Sequence, residues 1–352
     1  MIPRERILAA LEFRAVDVVP LQISPAAGGL YEHGEKLAAL IRQTGHDFGD
    51  VSGVTLPDPP RPDDFDADGR YDAFRTDAWG TRWQYRLFGV WGRPVEYPLA
   101  DLERLDTYRP PALPWSRGPQ FEAARVAAAD HRKRYFRLSA GGSIFERMHC
   151  LRPFEDVVVE VFRDDPAIHR VADMLTEYST ELVRRAVATG TDGMIVGDDF
   201  GTQQAMIFPP HVWRRFFKPR YQRIFAPARE SGVKIFFHSC GQIAPILEDL
   251  AELGVNAIWP QLTLWQPREL ARRCRELRLA VQLHPDRGDL MQRQSPGQVR
   301  DYTMRLADEF GVTGGGSFLY IEIDPGFPWE NVQALFETAQ RLRQASDRGE
   351  AT

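Results

Sequence analysis

A histidine and a cysteine separated by one residue are the pair in this sequence best suited to metal chemistry. His238 and Cys240 follow the apolar run 233–237, which predicts a strand. In an extended chain, residues i and i+2 point to the same side, so the imidazole and the thiol lie together. Such a pair suits Zn²⁺, which takes about three protein ligands where it keeps an open position. The plainer interpretation is a histidine bonded to a carboxylate beside a small buried cysteine.

A zinc site of this kind needs a third ligand from elsewhere in the chain. Glu322, His284 and Asp286 each follow, or end, a predicted strand. If the strands are parallel, these side chains reach the same face of the fold as the histidine–cysteine pair. All three are therefore candidates for the third ligand.

Two adjacent carboxylates, Asp198 and Asp199, follow the apolar segment 193–196. Neighbouring residues in an extended segment point to opposite sides, so only one of them enters a site on one side. That one would act as a base or a substrate anchor, and the other would bond a backbone amide or an arginine. The plainer interpretation is that both cap the next loop. Gln203, in the same loop, suits either a substrate oxygen or a turn.

Further polar residues near the predicted strand ends are expected to contact substrate. They are Glu146, Arg147, Gln261 and Tyr320. Four residues of metal-binding or nucleophilic type are interpreted as structural instead. They are His149, His211, Cys150 and Cys274.

The polar residues fall at strand ends because strands and helices alternate regularly. The predicted strands cover residues 18–24, 135–140, 193–196, 233–237, 257–260, 279–283 and 317–323. The predicted helices cover residues 3–13, 29–45, 119–132, 154–163, 166–189, 210–231, 242–253, 267–277, 296–310 and 329–346. This alternation indicates parallel βαβ units. With an eighth strand near 46–54, the units close into a (β/α)₈ TIM barrel, whose active site lies at the carboxyl ends of the strands.

Residues 51–117 interrupt the alternation with a different composition. Prolines and aspartates are frequent there, and short aromatic and β-branched runs around 71–87 and 94–97 predict a β-hairpin-rich insertion. We interpret residues 1–352 as a single domain carrying this insertion, because the segment shows no core pattern of its own. Its tryptophans suit a lid, a partner surface or ordinary packing. They are Trp79, Trp83 and Trp91.

The composition excludes several classes of protein. The chain has 352 residues, 43% hydrophobic and 26% charged, with a formal net charge of −5. The acidic balance argues against nucleic acid as the main partner. No run of about 18 apolar residues predicts a membrane span, and the amino terminus lacks the apolar core of a signal peptide. With only three cysteines, a disulfide framework is not expected, and we predict a cytoplasmic protein.

Several segments resemble the uroporphyrinogen decarboxylase superfamily. They are residues 4–14 (RERILAALEFR), 17–20, 197–203 (GDDFGTQ), 219–221, 232–241 (GVKIFFHSCG), 295–300 and 328–332. The resemblance extends over nearly the whole chain and implies the barrel fold. It also implies that a homodimer is one assembly to consider.

Two chemistries are known in this superfamily, and the residues favour one of them. Decarboxylation of uroporphyrinogen uses an early Arg-Gln-Ala-Gly-Arg motif, whereas residues 23–27 read Ile-Ser-Pro-Ala-Ala here. Methyl transfer with a corrinoid protein uses zinc held by a His-x-Cys pair and a distant cysteine. His238 and Cys240 match the pair, and Glu322 stands near the place of the missing cysteine. The resemblance thus implies a zinc site formed by these three residues.

The function predicted in this way is zinc-dependent methyl transfer between a small methylated compound and a corrinoid (cobalamin) carried by a partner protein. Zinc would act as a Lewis acid on an ether oxygen, or hold a thiolate nucleophile in the reverse direction. Asp199, His284 and Asp286 are assigned catalytic roles, and Asp198 is assigned to substrate. His284 stands where the superfamily usually has glycine, so it adds a fourth ligand or a proton shuttle.

Two other functions stay open. A cofactor-free decarboxylase or lyase of a small carboxylic acid would place Asp198 or Asp199 near a substrate carbon, with Arg287 or Arg147 on a carboxylate. A non-enzymatic barrel would bind a corrinoid or tetrapyrrole without turnover, and its binding would not depend on Cys240. Metal content distinguishes the first alternative from the zinc enzyme.

Overall fold

The structure is a computed structural model that describes residues 1–24 and 26–347. The strands are β1 (Leu21–Ser24), β2 (Ala73–Thr76), β3 (Arg82–Tyr85), β4 (Arg93–Glu96), β5 (Leu138–Ala140), β6 (Gly193–Gly197), β7 (Lys234–Ser239), β8 (Ala257–Pro260), β9 (Ala280–Leu283) and β10 (Ser317–Glu322). The first helices are α1 (Pro3–Leu11), α2 (Ala27–His33), α3 (Glu35–Thr44), α4 (Pro119–His131), α5 (Phe145–Leu151), α6 (Phe154–Arg163) and α7 (Pro166–Thr189). The later helices are α8 (Pro210–Phe216), α9 (Lys218–Glu230), α10 (Leu247–Glu252), α11 (Pro267–Leu277), α12 (Asp289–Arg293), α13 (Pro296–Phe310) and α14 (Trp329–Asp347).

Seven strands form one curled parallel sheet in the order β1-β10-β9-β8-β7-β6-β5. From β5 to β10, each strand lies beside the next one along the chain, and helical segments join them. β1 pairs with β10, with Leu21 opposite Leu319 and Ser24 opposite Glu322. Because all seven strands are parallel, their carboxyl ends meet at one edge, and the residues predicted for the site follow or end these strands.

The eighth strand predicted near 46–54 is absent from the structure, and a single aspartate bridges the two edge strands instead. The Asp47 amide donates to the carbonyl of Leu21 at 2.9 Å, and its carbonyl accepts from the amide of Phe136 at 3.1 Å. Its buried carboxylate accepts from the Leu21 amide at 2.8 Å and pairs with Arg6 and Arg343. A side chain therefore takes hydrogen bonds that a strand would supply through its backbone, so no ladder forms.

Apolar side chains close the amino-terminal ends of the strands. Phe236 lies between Phe136 and Phe318, with ring centroids 5.8 and 5.9 Å away. Ile7 and Leu11 of α1 pack in the same buried cluster. The strand ends thus differ in chemistry, since one end is filled by aromatic rings and the other carries the predicted site residues.

The predicted insertion forms a three-stranded antiparallel sheet in the order β2-β3-β4. The turn between β2 and β3 forms around the Asp77 carboxylate, which accepts from the amides of Trp79 and Thr81 at 2.9 and 3.0 Å. The Thr81 hydroxyl donates to the carbonyl of Cys150 at 2.8 Å. This bond fastens the small sheet to α5, at the cavity end of the fold.

The structure divides two helices that the periodicity predicted as single ones. The segment 29–45 breaks at Gly34, which has a φ of +61° that glycine adopts without strain. The segment 210–231 breaks at Phe217, where α8 ends and α9 begins. No helix within the described residues combines the length and the apolar character needed to cross a bilayer.

Candidate active site

A cavity of about 970 Å³ opens at the carboxyl ends of the parallel strands. Ten of the twelve predicted site residues line it. They are Glu146, Arg147, Asp199, Gln203, His238, Cys240, Gln261, His284, Asp286 and Glu322. Trp83, Trp91 and Arg93 of the insertion form part of the same wall. The insertion therefore contributes directly to the cavity and does more than pack against the fold.

The loops after β6 and β7 are held together by a close backbone contact. A Cβ on Gly201 would lie 2.3 Å from the amide nitrogen of Gln242, and one on Gly241 would lie 2.1 Å from the carbonyl carbon of Gly201. Gly241 also has a φ of +76°, which side chains rarely allow. Because these two glycines touch, Asp199 in one loop comes beside Cys240 in the other.

Asp199, His238 and Cys240 bring three potential metal-ligand atoms together. The carboxylate oxygen, ring nitrogen and sulfur lie within 4.8 Å of one another. Nε2 of His238 is 3.5 Å from Sγ of Cys240 and 3.4 Å from Oδ1 of Asp199. The Cys240 amide donates to that same oxygen at 2.7 Å and so orients the carboxylate. One oxygen, one nitrogen and one sulfur donor form a set that suits Zn²⁺.

The orientation of the His238 ring is set by Trp259. Nδ1 of His238 lies 2.8 Å from the backbone carbonyl of Trp259. A carbonyl only accepts, so Nδ1 carries a proton, and Nε2 is the nitrogen turned toward the other two donors. Ligating histidines are held through their second nitrogen in this way. Burial lowers the pKa of His238, while the Asp199 carboxylate opposes that shift.

The thiol of Cys240 lies in surroundings that disfavour its anion. Burial raises the pKa of Cys240 to about 12, and the Asp199 carboxylate adds to the effect. A metal cation reverses this electrostatic balance and deprotonates a thiol that ligates it. A cation held by these three groups would therefore favour the thiolate form of Cys240.

Glu322, predicted as the third ligand, lies in a separate ion network. The Arg287 guanidinium contacts the carboxylates of Glu322 and Asp324, each at 3.2 Å. Burial raises the pKa of both carboxyl groups, and Arg287 opposes the shift. Among the described residues, the convergent set of ligand atoms includes Asp199 and not Glu322. Arg287 therefore already supplies the positive charge that a metal ion would otherwise offer to the Glu322 carboxylate.

Asp198, predicted to contact substrate, is fully buried beneath the site and does not line the cavity. Its carboxylate accepts from the amides of Ile144 at 2.8 Å and Glu146 at 2.6 Å, and from the hydroxyl of Tyr221. Burial raises its pKa to about 7, against the lowering effect of these donors. Asp198 thus fastens the loop after β6 to the start of α5, while Asp199 faces the cavity.

Two further catalytic candidates lie on the far side of the cavity from β6. The Asp286 carboxylate accepts from the amides of Gly288 and Leu290 at 3.1 and 3.0 Å, so it holds the turn into α12. The Trp259 indole donates to Nδ1 of His284 at 3.2 Å. Burial lowers the pKa of His284 well below its ordinary value, so the ring is neutral.

The remaining substrate candidates divide into two exposed amides and one buried phenol. Gln203 and Gln261 bond reciprocally through their side-chain amides at 3.1 and 3.2 Å on the cavity wall. Tyr320 is only 4% exposed and lies behind the wall. Its ring packs against Trp259 and His284, with centroids 4.8 and 4.6 Å away. Tyr320 therefore supports the wall without touching the cavity.

Helix α5 contributes two wall residues that were interpreted as structural. His149 and Cys150 both line the cavity. Nε2 of His149 lies 3.1 Å from a carboxylate oxygen of Glu146. Burial raises the pKa of Glu146, but His149, the Asp199 amide and the charge of His238 together lower it further, so the net shift is downward. The signal available in the sequence was the i,i+3 spacing of Glu146 and His149 on one helix.

A sequence profile of the family described as "Uroporphyrinogen decarboxylase (URO-D)" matches residues 90–342. This chain belongs to the uroporphyrinogen decarboxylase family. The match includes every wall residue named above except Trp83. The family resemblance predicted from the sequence is therefore confirmed.

The curated relatives that this chain matches share a low sequence identity with it. Uroporphyrinogen decarboxylases from two strains of Thermus thermophilus are 27% identical over 192 residues, 54% of this chain and 53% of each relative. The chain thus spans about half the length of the curated relatives it matches. A solved methyltransferase from Methanosarcina mazei has the same fold, with a TM-score of 0.64 and 17% identity over 97% of this chain and 99% of that one.

Trp259 is the residue that sequence reasoning missed in this family member. It ends no motif and carries no titratable group, yet it contacts His238 through its carbonyl and His284 through its indole. Strand pairing brings these groups together, since Trp259 lies opposite His238 in β7 and β8 also pairs with β9, which His284 follows. A tryptophan within a predicted short strand next to the histidine strand was the available signal.

Proposed function

We propose that this chain is a zinc-dependent methyltransferase that moves a methyl group between a small methylated compound and a corrinoid carried by a partner protein. The convergence of Asp199, His238 and Cys240 on one point of the cavity wall carries the proposal. The fold shared with the Methanosarcina mazei methyltransferase supports it. We further interpret the curled sheet as a (β/α)₈ barrel in which Asp47 takes the place of the eighth strand.

The three residues fit zinc by the chemistry of their donors. Nε2 of His238 faces the cluster because Nδ1 is engaged by the Trp259 carbonyl. The Asp199 carboxylate is oriented by the Cys240 amide. When bound, zinc would supply Lewis acidity toward a heteroatom of the substrate. A corrinoid would supply a cobalt centre that accepts or donates the methyl group.

The protein's own contribution is orientation and enclosure. Trp83 and Trp91 form an apolar wall facing the solvent side, with ring centroids 5.7 Å apart. Gln203 and Gln261 offer amide groups that exchange their mutual bond for a substrate oxygen. Holding the substrate against a fixed cluster lowers the entropy cost of the transfer step.

The second candidate function is cofactor-free decarboxylation of a small acid. Three arginines on the cavity wall favour it, since guanidinium groups bind carboxylates well. They are Arg93, Arg147 and Arg287. Two of them already contact carboxylates of the protein: Arg147 contacts Asp77, and Arg287 contacts Glu322 and Asp324. Arg93 instead donates to the Gln84 side-chain oxygen and is free of an ion pair among the described residues.

Metal content decides between the two candidates. We would purify the protein without a metal-binding tag and measure its metals by mass spectrometry, beside His238→Ala, Cys240→Ala and the control Cys274→Ala. Cys274 is a buried thiol in α11, away from the cavity wall. The proposal expects stoichiometric zinc in the parent and the control, loss of zinc in the two ligand variants, and zinc-dependent methylation of free cob(I)alamin by a methyl donor. A protein that holds no zinc after incubation with Zn²⁺ under reducing conditions contradicts it and favours decarboxylation.

A further inference from the structure

One tryptophan contacts two histidines of the cavity wall in opposite ways. The backbone carbonyl of Trp259 lies 2.8 Å from Nδ1 of His238, and its indole nitrogen lies 3.2 Å from Nδ1 of His284. The rings are close as well, with the Trp259 centroid 4.1 Å from that of His238 and 5.5 Å from that of His284. Nδ1 therefore faces an acceptor in His238 and a donor in His284.

This difference assigns the two rings different protonation. A carbonyl accepts, so Nδ1 of His238 carries a proton. An indole N–H only donates, so Nδ1 of His284 must be the bare, accepting nitrogen. A neutral imidazole carries its single proton on the other nitrogen, which places the proton of His284 on Nε2.

The Nε2–H group of His284 has no protein partner. Nε2 is buried, and no acceptor among the described residues lies within hydrogen-bonding range of it. The side chain is about nine-tenths buried, and it forms part of the cavity wall. A buried donor without a partner costs on the order of 1–3 kcal/mol, so an acceptor supplied by a ligand would relieve that cost.

The charges beside His284 limit what that acceptor can be. Arg287 is shared between the carboxylates of Glu322 and Asp324, so this group carries no excess of positive charge. Asp286, in the same loop, adds another carboxylate. Its oxygens accept from backbone amides and hold no cation among the described residues. These carboxylates would repel a substrate anion placed beside His284, whereas they would not repel an uncharged substrate oxygen.

We infer that Trp259 fixes His284 as a hydrogen-bond donor for an uncharged oxygen of the substrate, such as an ether or carbonyl oxygen. The inference rests on the proposed function for the cavity as the substrate site, but it does not require the metal. It also removes His284 as a zinc ligand, because Nδ1 accepts from the Trp259 indole and Nε2 carries a proton and has no lone pair to share. Trp259 is then a positioning residue, and His284 is the group that contacts substrate.

The protonation of the two rings is tested on metal-free full-length protein. Two-bond proton–nitrogen correlation spectra of ¹⁵N-histidine-labelled protein identify the protonated nitrogen of each ring, with His284→Gln used for assignment. We expect His284 protonated at Nε2 only. Trp259→Phe should make His284 a mixture of both neutral forms and leave Nδ1 of His238 protonated, since that proton faces a backbone carbonyl. A His284 ring protonated at Nδ1 in the parent protein overturns the inference.

The substrate class is tested with three probes of similar shape. Anisole and ethylbenzene differ only by an ether oxygen in place of a methylene, and benzoate carries an anionic oxygen. We expect anisole to shift the His284 Nε2 resonance and to bind about 3- to 10-fold tighter than ethylbenzene, the range of one net hydrogen bond. That preference should disappear in His284→Phe and persist in part in His284→Gln, which keeps a donor.

Two results overturn this assignment. If no probe shifts the resonance at saturation, His284 does not serve the substrate; if only benzoate does, the uncharged acceptor is wrong. Because these measurements use metal-free protein, they separate this inference from the zinc proposal. Zinc binding that fails while the anisole preference holds would contradict the proposed function alone.

Discussion

The two sides of the cavity use similar residue types for different purposes. On the side of β6 and β7, Asp199, His238 and Cys240 converge, and none of them pairs with an arginine or lysine within the described residues. On the side of β9 and β10, Arg287 holds Glu322 and Asp324. Both sides carry carboxylates at strand ends, but among the described residues only the first brings a carboxylate, an imidazole and a thiol together.

Under the proposed function, that difference would explain why zinc binds at one acidic strand end and not at another. A carboxylate paired with a guanidinium gains little from a metal, because the metal must first displace the arginine. A carboxylate oriented by a backbone amide, as Asp199 is by Cys240, keeps its charge available.

The identity of the third ligand gives the largest expected difference. Asp199→Ala should weaken zinc binding by more than about 100-fold, because it removes a ligand and not merely a supporting group. Glu322→Ala, on the other side of the cavity, should change zinc affinity by less than about 3-fold, because its charge is already balanced by Arg287. Competition with a chromophoric chelator measures both constants under reducing conditions.

The reverse result would mean that the third ligand comes from the other side of the cavity. If Glu322→Ala lost zinc and Asp199→Ala kept it, the third ligand expected from the resemblance would be correct. The convergence seen around Asp199 would then be a hydrogen-bonded arrangement without a metal. Equal losses would mean that the two sides close on one ion.

Sequence periodicity predicted the parallel order well because buried strands and amphipathic helices leave a local signal. Helices 166–189, 267–277 and 296–310 have the predicted bounds, and β8 begins and ends where predicted. The prediction of an eighth strand was wrong because Asp47 bonds the edge strands partly through its side chain, which pairs with Arg6 and Arg343. Both arginines lie far from Asp47 in the sequence, so no local pattern predicts these contacts.

The candidate site was predictable where the chemistry is local. The His-x-Cys spacing and the alternation of Asp198 and Asp199 placed side chains relative to their own strand. The choice of a third ligand depended on where Arg287 points, which is a tertiary fact. Trp259 was missed for the same reason, since its role arises from strand pairing and not from its own chemistry.

The β6–β7 side depends on a buried support, the carboxylate of Asp198. Tyr221→Phe removes the hydroxyl that donates to the buried Asp198 carboxylate, so we expect the free energy of unfolding to fall by about 1.5–3 kcal/mol. The control Tyr178→Phe, in a phenol that makes no hydrogen bond among the described residues, should change it by less than about 0.5 kcal/mol. Urea unfolding of the three proteins measures the difference.

If Tyr221→Phe were as harmless as the control, Asp198 would not be a structural anchor. Its two backbone donors, from Ile144 and Glu146, would then suffice to hold the loop. Zinc affinity measured in the same variant sharpens the comparison. A loosened loop should weaken zinc binding less than removal of Asp199 does, because the ligand itself remains.

The ion pairs of Arg287 on the β9–β10 side should contribute least to the free energy of unfolding. Arg287→Gln removes contacts to two carboxylates, but the arginine side chain is 46% exposed, so we expect a loss below about 1 kcal/mol in the free energy of unfolding. Arg287 lowers the pKa of Glu322 and Asp324 in the folded protein, so its stabilising effect is present when they are ionised and declines as acid protonates them. The difference between parent and variant should therefore shrink as the pH falls below the pKa of these groups. A larger loss of unfolding free energy, or a loss independent of pH, would mean that Arg287 holds the loop by packing. The difference between the two sides of the cavity would then not rest on the ion pairs of Arg287.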